Sequence, residues 1–139
     1  MRTITIPPVV TIVDPSSRKP LEPNPGVPLR YSLRDLVRWL LDSCGAFNDS
    51  AVGARAAMRI DRAFGEPGAV DGGAVVLDDQ DHELLRAAAE KPDRGYPKLE
   101  SRDRSGAVVY SLPLGAQLVP MLDAILDAKK DVAATAAKE

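Results

Sequence analysis

Ser32-Leu33-Arg34-Asp35-Leu36-Val37-Arg38-Trp39-Leu40-Leu41-Asp42-Ser43-Cys44-Gly45 carries the clearest helix signal in this chain. Leu33, Leu36, Val37, Leu40 and Leu41 recur at i, i+3, i+4, i+7 and i+8, so a helix places them on one apolar face. Ser32 is fit to cap the free N–H groups of the first turn, and Asp35 to reach back in a variant of the capping box. Gly45 stops the helix, Arg34, Arg38 and Asp42 share its wet side, and Trp39 lies toward an edge of the stripe.

Downstream, a second helix starts at Asp49 or Ser50 and runs to Phe64, where Gly65-Glu66-Pro67-Gly68 ends it. Its expected core face is Gly53, Ala57, Ile60 and Phe64, flanked by Val52, Ala56 and Ala63. Ala74-Val75-Val76-Leu77 is a short strand candidate, and a third helix spans about residues 79 to 90 with Leu84, Leu85 and Ala88 as its apolar set. Asp78 and Asp79 suit its N-cap, and acids in the first turn complement the macrodipole. Residues 93–104 are charged and contain Gly95 and Pro97, which predicts an exposed loop or lid. Residues 106–112 form another strand candidate, able to pair with 74–77. A last helix is expected from about 113 to 130, carrying Leu114, Leu118, Met121, Leu122, Ile125 and Leu126. Pro120 either opens it or kinks it.

Upstream, Pro7, Pro8, Pro15, Pro20, Pro23, Pro25 and Pro28 deny the first 30 residues most helical geometry. The expectation is an extended N-terminal arm over 1–30, with Val9-Val10-Thr11-Ile12-Val13 as a β-branched strand and Asp14-Pro15-Ser16-Ser17 as a turn. Leu21 would return on the far side of a short hairpin. The predicted organisation is this arm, one globular α+β domain over 31–130 with about four helices and a small sheet of short strands, and a flexible tail over 131–139.

A chain of 139 residues supports one core. With 45% hydrophobic and 27% charged residues it reads as an ordinary globular sequence, and aromatics at 4% leave few platforms for stacking on nucleic-acid bases. Cys44 is the single cysteine, so no disulfide forms within the chain. The N-terminus lacks a secretory apolar stretch, and no run of about 18 apolar residues occurs. A cytoplasmic location without membrane attachment is expected, or a virion-associated one if the chain is phage-encoded.

Motifs for chemistry are sparse. His82 and Cys44 are too few to build a closed zinc site, and Asp78, Asp79, Asp81 and Glu83 lack the spacing of a calcium loop. No metal or cofactor is expected. A small enzyme would rest on Cys44 or on His82, since a thiol needs a base within hydrogen-bond reach, but neither sits in a recognisable nucleophile motif. The glycine pairs fit neither phosphate-binding pattern.

The most specific polar feature is Arg55, Arg59 and Arg62, which a helix projects from one face where guanidinium groups grip carboxylates or phosphates. Such a row is either a solvated face or a docking surface, with a neighbour's Asp78–Glu83 region as one acidic partner. Residues 1–30 hold four basic and two acidic residues (+2), while 67–92 hold two basic and six acidic (−4). Val9, Val10, Ile12 and Val13 are the arm residues suited to adding a strand to a neighbour's sheet. The expected function is therefore non-enzymatic: a protein–protein interaction or assembly module, of a kind that suits a bacterial or phage accessory protein. Its partner would be another protein or a second copy of itself. A nucleic-acid-binding regulator using the arginine row is the alternative, weakened by the net charge of −2.

Overall fold

Ser32 closes the first helix as its spacing predicts: its side chain accepts from the Asp35 N–H at 3.2 Å, and the Asp35 carboxylate accepts from the Ser32 N–H at 2.9 Å. In the computed structural model, which describes residues 1–22 and 25–130 (129 and 130 by backbone alone), this helix α1 covers Leu33–Ser43. Its five apolar residues Leu33, Leu36, Val37, Leu40 and Leu41 are all buried. Replacing Ser32 with alanine is expected to cost about 1 kcal/mol in a denaturant melt, the usual value of such a cap.

A four-residue helix α2, Gly45–Asn48, turns the chain and buries Phe47. Helix α3 then runs Ala51–Phe64 with Ser50 as N-cap, burying Gly53, Ala56, Ile60 and Phe64. Helix α4 spans Asp79–Glu90, and α5 spans Val119–Leu126 behind a 3-10 turn at Gly115–Leu118. Pro120 lies in the first turn of α5, where its missing N–H disturbs no hydrogen bond. The final helix is therefore shorter than the sequence pattern suggests.

The strands are β1 Arg2–Thr5, β2 Val10–Thr11, β3 Arg30–Tyr31, β4 Ala74–Leu77, β5 Lys98–Arg102, β6 Val108–Pro113 and β7 Lys129–Lys130. The molecule is thus a mixture of helices and small sheets, as the α+β reading expects. In the largest sheet the order is β4-β1-β7, both pairings antiparallel, with Ile4 opposite Val75. Ile4, Ile6, Val75 and Leu77 join Leu36, Leu40, Ile60, Leu85, Leu118, Met121 and Ile125 in one core.

Two expectations about pairing are corrected. Strand β4 pairs with β1 and not with the 106–112 segment. The charged 93–104 stretch is not simply a loop, since β5 within it pairs with β6 in a hairpin, Leu99 opposite Leu112. Pairing of β5 with β6 satisfies backbone groups that a loop would leave to water.

The N-terminal residues also depart from an arm set apart from the domain. Strand β1 is the middle strand of its sheet, and Ile4 and Ile12 are fully buried. The Pro-rich stretch does form the expected hairpin, with a bridge between Val13 and Pro20 and the Leu21 N–H donating to the Ile12 carbonyl at 2.9 Å. This hairpin is fastened to the domain: the Gln117 side chain accepts from the Val13 N–H at 2.9 Å and donates to its carbonyl at 3.0 Å. Apolar residues at alternate positions (Ile4, Ile6, Ile12) give the segment something to bury, which outweighs its proline content. The tail expected over 131–139 lies outside the described residues.

Candidate interaction surface

Helix α3 is amphipathic because Gly53, Ala56, Ile60 and Phe64 turn inward, which leaves Ala51, Val52, Ala54, Arg55, Met58, Arg59 and Arg62 outward. The three predicted arginines do share that outer side, but they do not share a role. The Arg59 guanidinium donates to both carboxylate oxygens of Asp81 on α4, Nε to Oδ2 at 2.9 Å and Nη2 to Oδ1 at 2.8 Å. Asp81 is buried, so this two-point contact ties α3 to α4, and donating hydrogen bonds to the carboxylate pushes the Arg59 pKa further up. The acid expected to serve the helix dipole or a neighbouring copy is engaged inside its own chain.

Arg55 and Arg62 differ. Both are exposed, and neither has an ion pair among the described residues. Beside them Val52 and Met58 expose 63% and 64% of their surface, far more than the other side chains of similar size on this helix. Met58 stands at the rim of a groove of about 520 Å³ between α1, α2 and α3, floored by Leu41, Phe47 and Ala57. At one end of it the Arg38 Nε lies 3.7 Å from an Asp61 carboxylate oxygen. The α3 outer face therefore combines two cations unpaired among the described residues, two exposed aliphatic side chains and an adjoining concavity.

The arm residues lie differently. Val9 is exposed with its N–H directed at the Asp71 carboxylate, Val10 pairs with Tyr31, Ile12 is in the core, and Val13 is held by Gln117. The main-chain groups of Val10 to Val13 are thus largely taken up within the chain. The basic N-terminal segment meets the acidic start of α4 within the chain, with the Arg2 Nε 3.9 Å from an Asp79 carboxylate oxygen.

His82 and Cys44 are both buried. The His82 imidazole Nε2 lies 2.9 Å from the Ile125 carbonyl oxygen, which fixes α4 against α5 and makes that nitrogen the donor. Cys44 caps the end of α1 beside Gly45, whose N–H donates to the Asp93 carboxylate. Among the described residues no group of three or more His, Cys, Asp or Glu stands close enough to hold a metal ion. Among the same residues no helix is long and apolar enough to cross a membrane.

The Arg59–Asp81 contact makes an asymmetric prediction. Arg59 is half exposed and hydrates when its partner is lost, whereas Asp81 has only protein around it. Arg59→Ala, which strands a buried carboxylate, is expected to lower the urea midpoint more than Asp81→Asn does. The double variant Arg59→Ala/Asp81→Asn should be more stable than Arg59→Ala alone; equal effects of the two single changes would show that the carboxylate reaches water.

Sequence reasoning found the arginine spacing but missed Val52 and Met58, which it placed near the core edge or passed over. The signal available was position: on the helical wheel Met58 falls beside Arg62, on the side opposite Ile60. Comparison of the chain with protein-family models, curated proteins and solved structures finds no match.

Proposed function

We propose that this protein is a non-enzymatic interaction or assembly module that docks a protein partner through the outer face of α3. The observation that carries this reading is the pair Arg55 and Arg62, exposed and without acidic partners among the described residues, one turn before and one turn after the exposed Met58 along α3. Arginine and methionine are enriched at protein interfaces because one forms planar two-point contacts and the other adapts its shape to an apolar surface. A partner surface bearing carboxylates around an apolar centre has the matching chemistry. The reading includes a cytoplasmic location, supported by the lone, buried Cys44, which suits a reducing compartment.

The test is the charge-reversed variant Arg55→Glu/Arg62→Glu, purified from the source cells beside the wild type, with co-purifying proteins quantified. A protein held by the wild type and reduced at least tenfold in the variant supports the proposal, provided both melt alike. Identical sets of co-purifying proteins would contradict it. A gel shift of nucleic acid at low salt that the same reversal abolishes would replace the protein partner by nucleic acid.

A further inference from the structure

A second surface lies on the β5–β6 hairpin. Every residue from Ser101 to Ser111 is exposed, and Val108, Val109 and Tyr110 expose 45%, 62% and 38% of their surface. Among the described residues the two strands make up a sheet of their own, so each has an outer edge. The Leu114 N–H donates to the Pro97 carbonyl at 3.0 Å, which sets the alternation along the ladder. By that alternation Leu112 and Tyr110 bond to β5, while the N–H and C=O of Ser111 point to the open edge of β6.

The two edges are not equivalent. Strand β5 carries Lys98, Glu100 and Arg102, with the Glu100 carboxylate 3.1 Å from the Lys98 Nζ and 3.2 Å from an Arg102 nitrogen. Charged side chains of this kind guard an edge against pairing. Strand β6 has none of that protection, for no charged residue occurs from Gly106 to Leu122. The regular stretch open to pairing is short, lying between the register shift opposite Ser101/Arg102 and Pro113.

We infer that β6 pairs antiparallel with β6 of a second copy of this chain, close to a two-fold axis near Ser111, giving a four-stranded sheet β5-β6-β6-β5. An uncharged strand meets no like-charge repulsion in its own copy, whereas a charged partner would find nothing complementary on it. One open and one guarded edge close the assembly at two copies, because the outer strands of the four are both β5. A lone two-stranded ribbon is marginal in water, and doubling it supplies the missing neighbours. This inference specifies one partner within the assembly reading above, yet uses a surface separate from α3.

The experiment is light scattering of the full chain over a concentration series, for the wild type, Val109→Lys and Ser111→Pro. The wild type is expected to reach the mass of a dimer, and both variants to raise the dissociation constant at least tenfold with unchanged helical circular dichroism. Val109→Lys leaves the backbone intact, so it decides the matter if Ser111→Pro disturbs the hairpin. A wild type that remains monomeric, or a dimer that neither variant weakens, overturns the inference. A dimer abolished by Arg55→Glu/Arg62→Glu and indifferent to Val109→Lys would assign self-association to α3, which removes the β6 pairing and leaves the docking proposal standing. A monomer that loses a foreign protein through Val109→Lys also overturns it, since the edge then belongs to another partner.

Discussion

A chain beginning at Leu29 is expected not to fold. The deletion removes β1, which sits between β4 and β7, and so leaves β4 without its neighbour. It also takes Ile4, Ile6 and Ile12 out of the core. Truncating one buried isoleucine to alanine typically costs about 2–5 kcal/mol. Losing three whole side chains and a central strand therefore reaches the roughly 5–15 kcal/mol that holds a domain together. Circular dichroism on heating should show no cooperative transition for the shortened chain, while Ile4→Ala in the full chain melts cooperatively but earlier. A shortened chain that melts like the full one would show that these residues are a dispensable arm.

Gly53→Ala is the second large effect. Gly53 is buried where α2 meets α3, and a Cβ there would lie far inside van der Waals contact distance of the Ala46 carbonyl oxygen and close against the Phe47 backbone. No rotamer relieves such a clash, because the opposing atoms are main chain. Helix α2 has to move off, taking Phe47 from the core and with it the floor of the groove beside Met58. The expected loss is about 3 kcal/mol or more, at the upper end of overpacking costs. Ala54→Ser on the exposed side of the same helix serves as control and should stay within about 0.5 kcal/mol of the wild type. Equal denaturation midpoints for Gly53→Ala and the wild type would mean that α2 is not packed on α3 as described.

What was legible in the sequence follows the range of the interactions. Helices α1, α3 and α4 could be placed because caps and 3.6-residue periodicity are local: Ser32 and Asp35, Ser50, and the Gly and Pro stops all act within a few positions. The facing of α4 was less accessible. Asp81 and His82 look like solvent-facing residues of a polar first turn, yet both are buried, because Arg59 and the Ile125 carbonyl meet them from 22 and 43 positions away. Strand β5 has no alternation to detect, since Lys98, Glu100, Ser101 and Arg102 leave it wet on both faces; its partner strand alone defines it. The N-terminal segment reads as an arm by its prolines, but Ile4, Ile6 and Ile12 bury themselves in the domain core, and which partners they meet is a long-range property. The arginine row was visible as spacing, but that Arg59 is spent inside the molecule and Arg55 and Arg62 are not depends on where Asp81 folds.

The claim that α3 meets another protein is tested most directly by placing a photoactivatable amino acid at Met58, and separately at Lys91 beyond the end of α4 as a control, in the full chain expressed in its source cells. Irradiation is predicted to join the Met58 position to a discrete protein of defined mass and the Lys91 position to none. Absence of any protein adduct at Met58, in a variant that folds and accumulates like the wild type, would contradict the account.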